Sequence, residues 1–290
     1  MSNRRVFLQQ SGLLSTGLML EPQSLFKIHQ PVGLQLYSLR DVIQKEPRSV
    51  IKKVAAAGYK EVEMYGLSAD NKFYGLTVNE FSMLLKDNNL KSPSGHYAPE
   101  DFLYNNGNGD DVKNFCEVGN VLGNHYIIIP WLKEEKRKTI DQYKALAERI
   151  NLAGEICKKA GLQLAYHNHD FEFADINGKH GYDILLNNTD KDLVKMEMDI
   201  YWVVRAGYDP VTLFTQHPGR FHLWHVKDMS KTDKTQNTEV GNGSIDFKKI
   251  FAQAKLAGVK HYIVEQENNY QPDFFGSIKK SSRSVKKLLS

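Results

Sequence analysis

The sequence predicts an α/β chain folded as a single (β/α)8 barrel over residues 31–290. Three observations carry this reading. Short β-rich segments recur eight times after residue 31, apolar residues at three- and four-residue spacing fill the gaps, and several gaps close on Ala-Gly just before the next strand. Right-handed crossovers set successive parallel strands side by side, and eight βα units over about 260 residues suit a closed barrel. The doubly wound open sheet is the rival, but no Gly-x-Gly-x-x-Gly follows the first strand. No linker divides the region.

In chain order the strands are expected at 32–37, 61–65, 90–96, 125–130, 162–167, 194–199, 221–226 and 261–265. Helical patterns lie between them, among others at 49–57, 78–88, 143–160 and 247–257. The pairs Ala57-Gly58, Ala160-Gly161 and Ala257-Gly258 are stop signals, because Gly takes the left-handed cap conformation without strain. The long polar stretch 227–245 carries glycines and reads as a lid or substrate loop. The run Lys279, Lys280, Arg283, Lys286 and Lys287, with Ile278, Val285 and Leu288 at helical spacing, reads as the solvated face of a last helix.

Composition narrows the function classes. With 41% hydrophobic and 25% charged residues, the chain is ordinary globular protein with a sizeable core available. A net charge of +4, with Lys and Arg interleaved among Asp and Glu, does not point to nucleic acid. The 2 cysteines, Cys116 and Cys157, fall in helical patterns and read as small buried hydrophobes without a disulfide framework. A small-molecule partner is expected, and a homo-oligomer is compatible with the architecture.

Residues 1–30 follow a different pattern. Asn3-Arg4-Arg5-Val6-Phe7-Leu8-Gln9 resembles a twin-arginine export signal and precedes the apolar, small-residue stretch 11–20. Asn3 stands where Ser or Thr is usual, the apolar region is short, and no Ala-x-Ala cleavage site follows. An amphipathic extension packed on the domain is the alternative. A membrane-spanning helix needs about 20 apolar residues, so no stable anchor is expected. Export would place a folded, metal-loaded protein in the periplasm; without a functioning signal the protein is cytoplasmic.

Active sites of such barrels form at the C-terminal ends of the strands, where alternate side chains point into the mouth. Four segments there, Ala165-Tyr166-His167-Asn168-His169, Met196-Glu197-Met198-Asp199, Trp224-His225-Val226-Lys227 and Ile263-Val264-Glu265, carry His167, Asp199, His225 and Glu265. If the strands are neighbours, these four converge on a divalent metal. Each residue alone is more often a hydrogen-bonded or solvated group than a ligand. Together, buried carboxylates opposite imidazoles require a cation or hydrogen bonds. The mixed donors suit Mn²⁺, Zn²⁺, Co²⁺ or Fe²⁺, with Mg²⁺ also a candidate, better than Ca²⁺. The same alternation turns Leu223 and Lys227 inward, sets Glu197 beside Asp199 and sends His222 and Trp224 toward the helices.

Met198-Asp199-Ile200-Tyr201-Trp202, Ala206-Gly207-Tyr208-Asp209-Pro210, His225-Val226-Lys227-Asp228, Gly241-Asn242-Gly243-Ser244-Ile245-Asp246 and Ile263-Val264-Glu265 resemble motifs of the xylose-isomerase-like barrel superfamily. The resemblance spans about residues 31–288. That superfamily includes sugar and sugar-phosphate isomerases and epimerases, inosose dehydratase and endonuclease IV. Its epimerase members bind metal through Glu, Asp, His and Glu from strands five to eight. Asp199, His225 and Glu265 match, whereas His167 stands in place of the first Glu.

The resemblance implies a metal-dependent sugar isomerase or epimerase that abstracts a proton next to a carbonyl. A keto-sugar dehydratase, lyase or hydratase on the same site is the alternative, suggested by Tyr166-His167-Asn168-His169 beside the Tyr-His-His-His of inosose dehydratases. A non-catalytic sugar-binding barrel is the third reading. Glu265, His167, His169 and Glu63 are the candidate acid/base groups, and His96, Trp202, Lys227, Glu172 and Glu197 the candidate substrate contacts. A nuclease would need a further His where Trp202 stands, and a basic groove. No phosphate cradle is present.

Overall fold

The computed structural model describes residues 30–290, so the twin-arginine-like segment lies outside the described residues. Eight parallel strands close into one barrel: β1 (Val32–Gln35), β2 (Glu61–Met64), β3 (Lys91–His96), β4 (Tyr126–Ile129), β5 (Gln163–His167), β6 (Val194–Asp199), β7 (Leu223–Val226) and β8 (His261–Val264). Each pairs with its sequence neighbours, and β1 with β8 completes the ring. All eight expected strands are present; most are a residue or two shorter than the β-rich runs, because pairing ends where the chain turns off the barrel.

The intervening helices are specified locally. Helix α1 (Pro47–Ala56) starts on a proline, whose missing N–H costs nothing in a first turn. Helices α2 (Val78–Asp87) and α3 (Ile140–Lys159) each open on a capping box, Thr77 with Glu80 and Thr139 with Gln142. The expected helix at 247–257 is instead two short ones, Phe247–Phe251 and Ala254–Ala257. Gly58, Gly161 and Gly258 have φ of +96°, +79° and +83°, the left-handed values a helix stop uses. The last helix, α4 (Phe274–Leu289), buries Ile278 and Val285 and exposes Lys279, Lys280, Arg283, Lys286 and Lys287.

Two apolar layers result. One fills the space between strands and helices; there Trp224 stacks on Phe214 at 5.1 Å, as strand alternation requires. The other is the plug inside the barrel, formed by Tyr126, Ile128, Ala165, Leu223 and Ile263. His222 departs from expectation. The strand begins only at Leu223, so alternation does not govern the residue before it, and His222 meets the Tyr126 hydroxyl at 3.0 Å. Cys116 and Cys157 are buried with their Sγ atoms 3.7 Å apart.

The 227–245 stretch also differs from a lid. It folds back as a two-stranded ribbon, Asp228–Met229 against Asn237–Thr238. The buried Asp228 carboxylate accepts backbone N–H groups of Met229, Gly241, Gly243 and Ile245, which ties the stretch to the barrel. Gly243 is required there, since a Cβ would sit 2.2 Å from Asp228 Oδ1.

Candidate active site

Above the apolar plug the inward positions become polar. Strand β2 contributes Glu63, β3 contributes Ser94 and His96, β5 His167, β6 Glu197 and Asp199, and β7 His225; Glu265 follows β8 by one residue. Register sets their heights. His167 is level with Glu197, and Asp199 is level with His225. His167 Nδ1 accordingly lies 3.0 Å from Glu197 Oε2, and Asp199 stands two residues farther up its strand. His96 Nε2 and His225 Nε2 approach the same Glu197 oxygen at 2.8 and 3.2 Å, and both also reach Glu63 Oε1, at 3.0 and 2.8 Å. Glu63 is held by Gln35 Nε2 at 2.7 Å and by the Ser94 hydroxyl.

A second polar group sits beside this one. His225 Nδ1 meets Glu265 Oε2 at 3.1 Å, and the Lys227 ammonium lies 3.1 Å from Glu265 and 3.4 Å from Asp199 while also pairing with Glu267. Lys227 is fully buried. Burial opposes its charge, but Asp199 and Glu265 overcome that and hold it above its ordinary value. Burial would likewise push Glu265 up; Lys227 and His225 keep it below the usual carboxylate range. For Asp199 burial wins, and its carboxyl is pushed up to about 7 against the pull of Lys227.

The imidazoles divide in the same way. Burial disfavours a charge on His96, but Glu63 and Glu197 raise it to about 9. His225 is raised well above its ordinary value, with Glu197 and Glu265 outweighing burial. Burial keeps His167 well below its ordinary value, reinforced by His225, and lowers His169 to about 3 with Lys227 adding to the effect. Glu63, despite burial, is held well below the carboxylate range by His96 and His225.

Two sets of donor atoms are compact enough for one cation: His96, His167, Glu197 and His225, and Asp199, His225 and Glu265, the atoms of each set lying within 4.8 Å of one another. They share His225. The quartet His167, Asp199, His225 and Glu265 is therefore split between the two. In the first set the 2.8–3.2 Å separations around Glu197 Oε2 are close to the edges of a coordination polyhedron with bonds of roughly 2.1 Å. Its other oxygen, Glu197 Oε1, is buried with no hydrogen-bond partner among the described residues. Both sets fit a transition metal in donor chemistry. Among the described residues, only the second faces an ammonium group.

A cavity of about 550 Å³ opens over these groups. His96, His167, His169, Trp202 and Glu265 line it; Glu63, Glu197, Asp199, His225 and Lys227 lie beneath, inside the protein. Glu172 is elsewhere. Its side chain accepts the Tyr166 hydroxyl at 2.6 Å and the His169 N–H at 2.9 Å behind β5, and burial pushes it up to about 8, so it braces the His169 turn and does not line the cavity. Sequence reading missed Gln35, Ser94, Glu267 and Trp131. Glu267 had a signal, lying two residues past Glu265 on a chain still alternating; Trp131 had none.

A closed parallel barrel with ionisable side chains gathered at its C-terminal mouth is the architecture of a small-molecule enzyme. Residues 51–288 match the family model described as xylose isomerase-like TIM barrel, and the chain belongs to that family. An inosose dehydratase of Geobacillus kaustophilus is 25% identical over 237 residues, 70% of this chain and 74% of that protein. An inosose dehydratase of Lacticaseibacillus casei is 26% identical over a shorter stretch, 43% of this chain and 47% of its own length. The crystal structure of a sugar phosphate isomerase/epimerase from Parabacteroides distasonis superimposes with a TM-score of 0.79 at 28% identity, covering 89% of this chain and 94% of that one. The IOLI protein with a bound zinc atom shares the fold, with a TM-score of 0.72 at 14% identity over 90% of this chain and 98% of that one.

Proposed function

We propose that this protein is an isomerase- or lyase-type enzyme that removes a proton next to the carbonyl of an unphosphorylated sugar or keto-sugar, with a divalent cation at the barrel mouth. The observation that carries the reading is the Glu265 carboxylate. It lines the cavity, is kept ionised by Lys227, and stands beside a compact set of metal donors. Within that set His96, His167, Glu197 and His225 would hold the cation, because no Lys or Arg pairs with Glu197 or Glu63 among the described residues. This retains His167 and His225 from the sequence quartet and exchanges Asp199 and Glu265 for His96 and Glu197. When bound, the cation supplies Lewis acidity toward a substrate oxygen.

The chain's own residues do the rest. Glu265 takes the α-proton, and Lys227 beneath it, 3.1 Å away, positions the carboxylate. His169, held uncharged by burial, also lines the cavity and would hydrogen-bond a substrate hydroxyl there. Return of the proton at the other face of the same carbon gives an epimer, and at the adjacent oxygen-bearing carbon an aldose–ketose isomer. Loss of a β-hydroxyl gives the dehydrated product. Isomerisation or epimerisation leads; elimination is the second reading, favoured by the similarity to inosose dehydratases.

The test is to incubate metal-loaded protein with aldoses, ketoses and keto-sugars in deuterated water and follow the α-proton by NMR. Loss of that signal in wild type and its persistence in Glu265→Gln are the expected results. An α-proton retained by every sugar, with sugars still bound, would replace this reading by a non-catalytic sugar-binding barrel.

A further inference from the structure

The cavity is too large and has the wrong walls for a lone, charged monosaccharide. A single hexose fills roughly 200 Å³ at ordinary packing density, less than half of the 550 Å³ available. Charge narrows the occupant further. The titratable groups of the lining are Asp170, Glu265, Glu267, tyrosines and histidines, with neither Lys nor Arg among them. Away from His96 and the metal donors, a phosphate or carboxylate on the substrate would meet Asp170 and Glu267 with no lysine or arginine in the lining.

The unused volume is bounded by aromatic side chains fixed from behind. On one side Trp131, 47% exposed, packs edge-to-face on His169 at 4.7 Å and on Phe171 at 4.8 Å. The Arg137 guanidinium lies 3.4 Å from the Phe171 ring centre and 5.2 Å from that of Trp131, anchored by its Nε to the Leu132 carbonyl at 2.9 Å. On the other side Tyr37, 38% exposed, meets Tyr65 edge-to-face at 5.0 Å. Arg40 sits over Tyr37 at 4.6 Å and is tied to the Glu267 carbonyl at 2.6 Å. Large apolar rings left exposed yet held rigid form a surface ready to stack, since little freedom is lost when a flat ligand arrives.

We infer that the mouth between Trp131 and Tyr37 is a subsite for a second, uncharged ring joined glycosidically to the reacting sugar. The substrate class is then a neutral glycoside, carrying either a further sugar or an aromatic group. This rests on the proposed function only in placing the reacting sugar over Glu265.

The experiment is calorimetric titration of the full-length protein, without turnover, with four probes: glucose, glucose 6-phosphate, a neutral disaccharide and an aryl glucoside. The two-ring probes should bind at least roughly 10-fold more tightly than glucose. Trp131→Ala should remove that gain while weakening glucose far less, and Arg137→Met, which frees the Trp131 ring, should remove part of it. A gain for the disaccharide alone would assign the second ring as sugar, and a gain for the aryl glucoside alone as aromatic. Equal affinity for one- and two-ring probes, tighter binding of glucose 6-phosphate, or an unchanged gain in Trp131→Ala would overturn the inference. Failure of proton exchange in deuterated water with the two-ring gain intact would instead overturn the proposed chemistry alone.

Discussion

Glu197→Gln probes the metal site most sharply, because one oxygen of that side chain is approached by His96, His167 and His225 at 2.8, 3.0 and 3.2 Å. The amide keeps the shape and removes the charge. Losing the centre of a buried charge-assisted network costs about 3 kcal/mol without metal, allowing for the remaining amide oxygen as an acceptor. That corresponds to a fall in Tm of roughly 5–10 °C. A unit charge in contact with a divalent ion contributes at least about 3 kcal/mol even at an effective dielectric constant near 20, so divalent affinity should drop roughly 100-fold or more. Asp199→Asn is the control, since Asp199 faces Lys227 in the other set; its metal affinity should change by about fivefold or less. Chelator competition with Zn²⁺ and Mn²⁺ gives the affinities, circular dichroism the Tm, and X-ray absorption the number of imidazoles on the metal. Three imidazoles are expected. Wild-type affinity in Glu197→Gln together with lost binding in Asp199→Asn would refute the assignment and restore Asp199 and Glu265 as ligands.

Other consequences can be checked separately. Lys227→Met leaves Asp199 and Glu265 buried without their cation, and urea unfolding should show a loss of about 3–5 kcal/mol; a change below about 1 kcal/mol would contradict the pairing. His222 is lowered to about 4 by burial, so the unfolded chain binds its proton more readily than the folded one. Its contribution to stability is full above about pH 6.5 and is lost as the pH falls toward 4, amounting to about 1–2 kcal/mol after allowing for partial solvent contact. The difference between wild type and His222→Gln in urea midpoints from pH 7 to 4 isolates it, and parallel curves would disprove it. Leu223→Ala opens a hole in the plug inside the barrel and should cost about 2–5 kcal/mol by the same assay, with a negligible change arguing against a packed interior. Zn²⁺ at roughly 100 times its Kd should stabilise the wild type by about 2.7 kcal/mol in a thermal scan, and no shift would mean the donor sets do not bind it.

Much of the architecture was legible in the chain because it is written at short range. Alternation at Leu223 and His225, the helix stops at Gly58, Gly161 and Gly258, and the proline opening α1 are local signals, and eight such units admit few closed arrangements. Those same signals brought His167, Asp199, His225 and Glu265 to one end of the barrel. Where local signals stopped, expectation failed: His222 lies before its strand, Glu172 turns behind β5, and the 227–245 stretch is tied down by Asp228.

Which of the strand-end residues touch was decided only by the tertiary structure. Strands in a closed barrel are staggered, so equal distance from a strand's end does not mean equal height. The stagger sets His167 level with Glu197 and His225 level with Asp199, and thereby divides an apparent quartet between two donor groups. Sequence determined the chemical types present at the mouth, through period-two alternation along each strand. The shear between strands, which no single strand encodes, determined their partners.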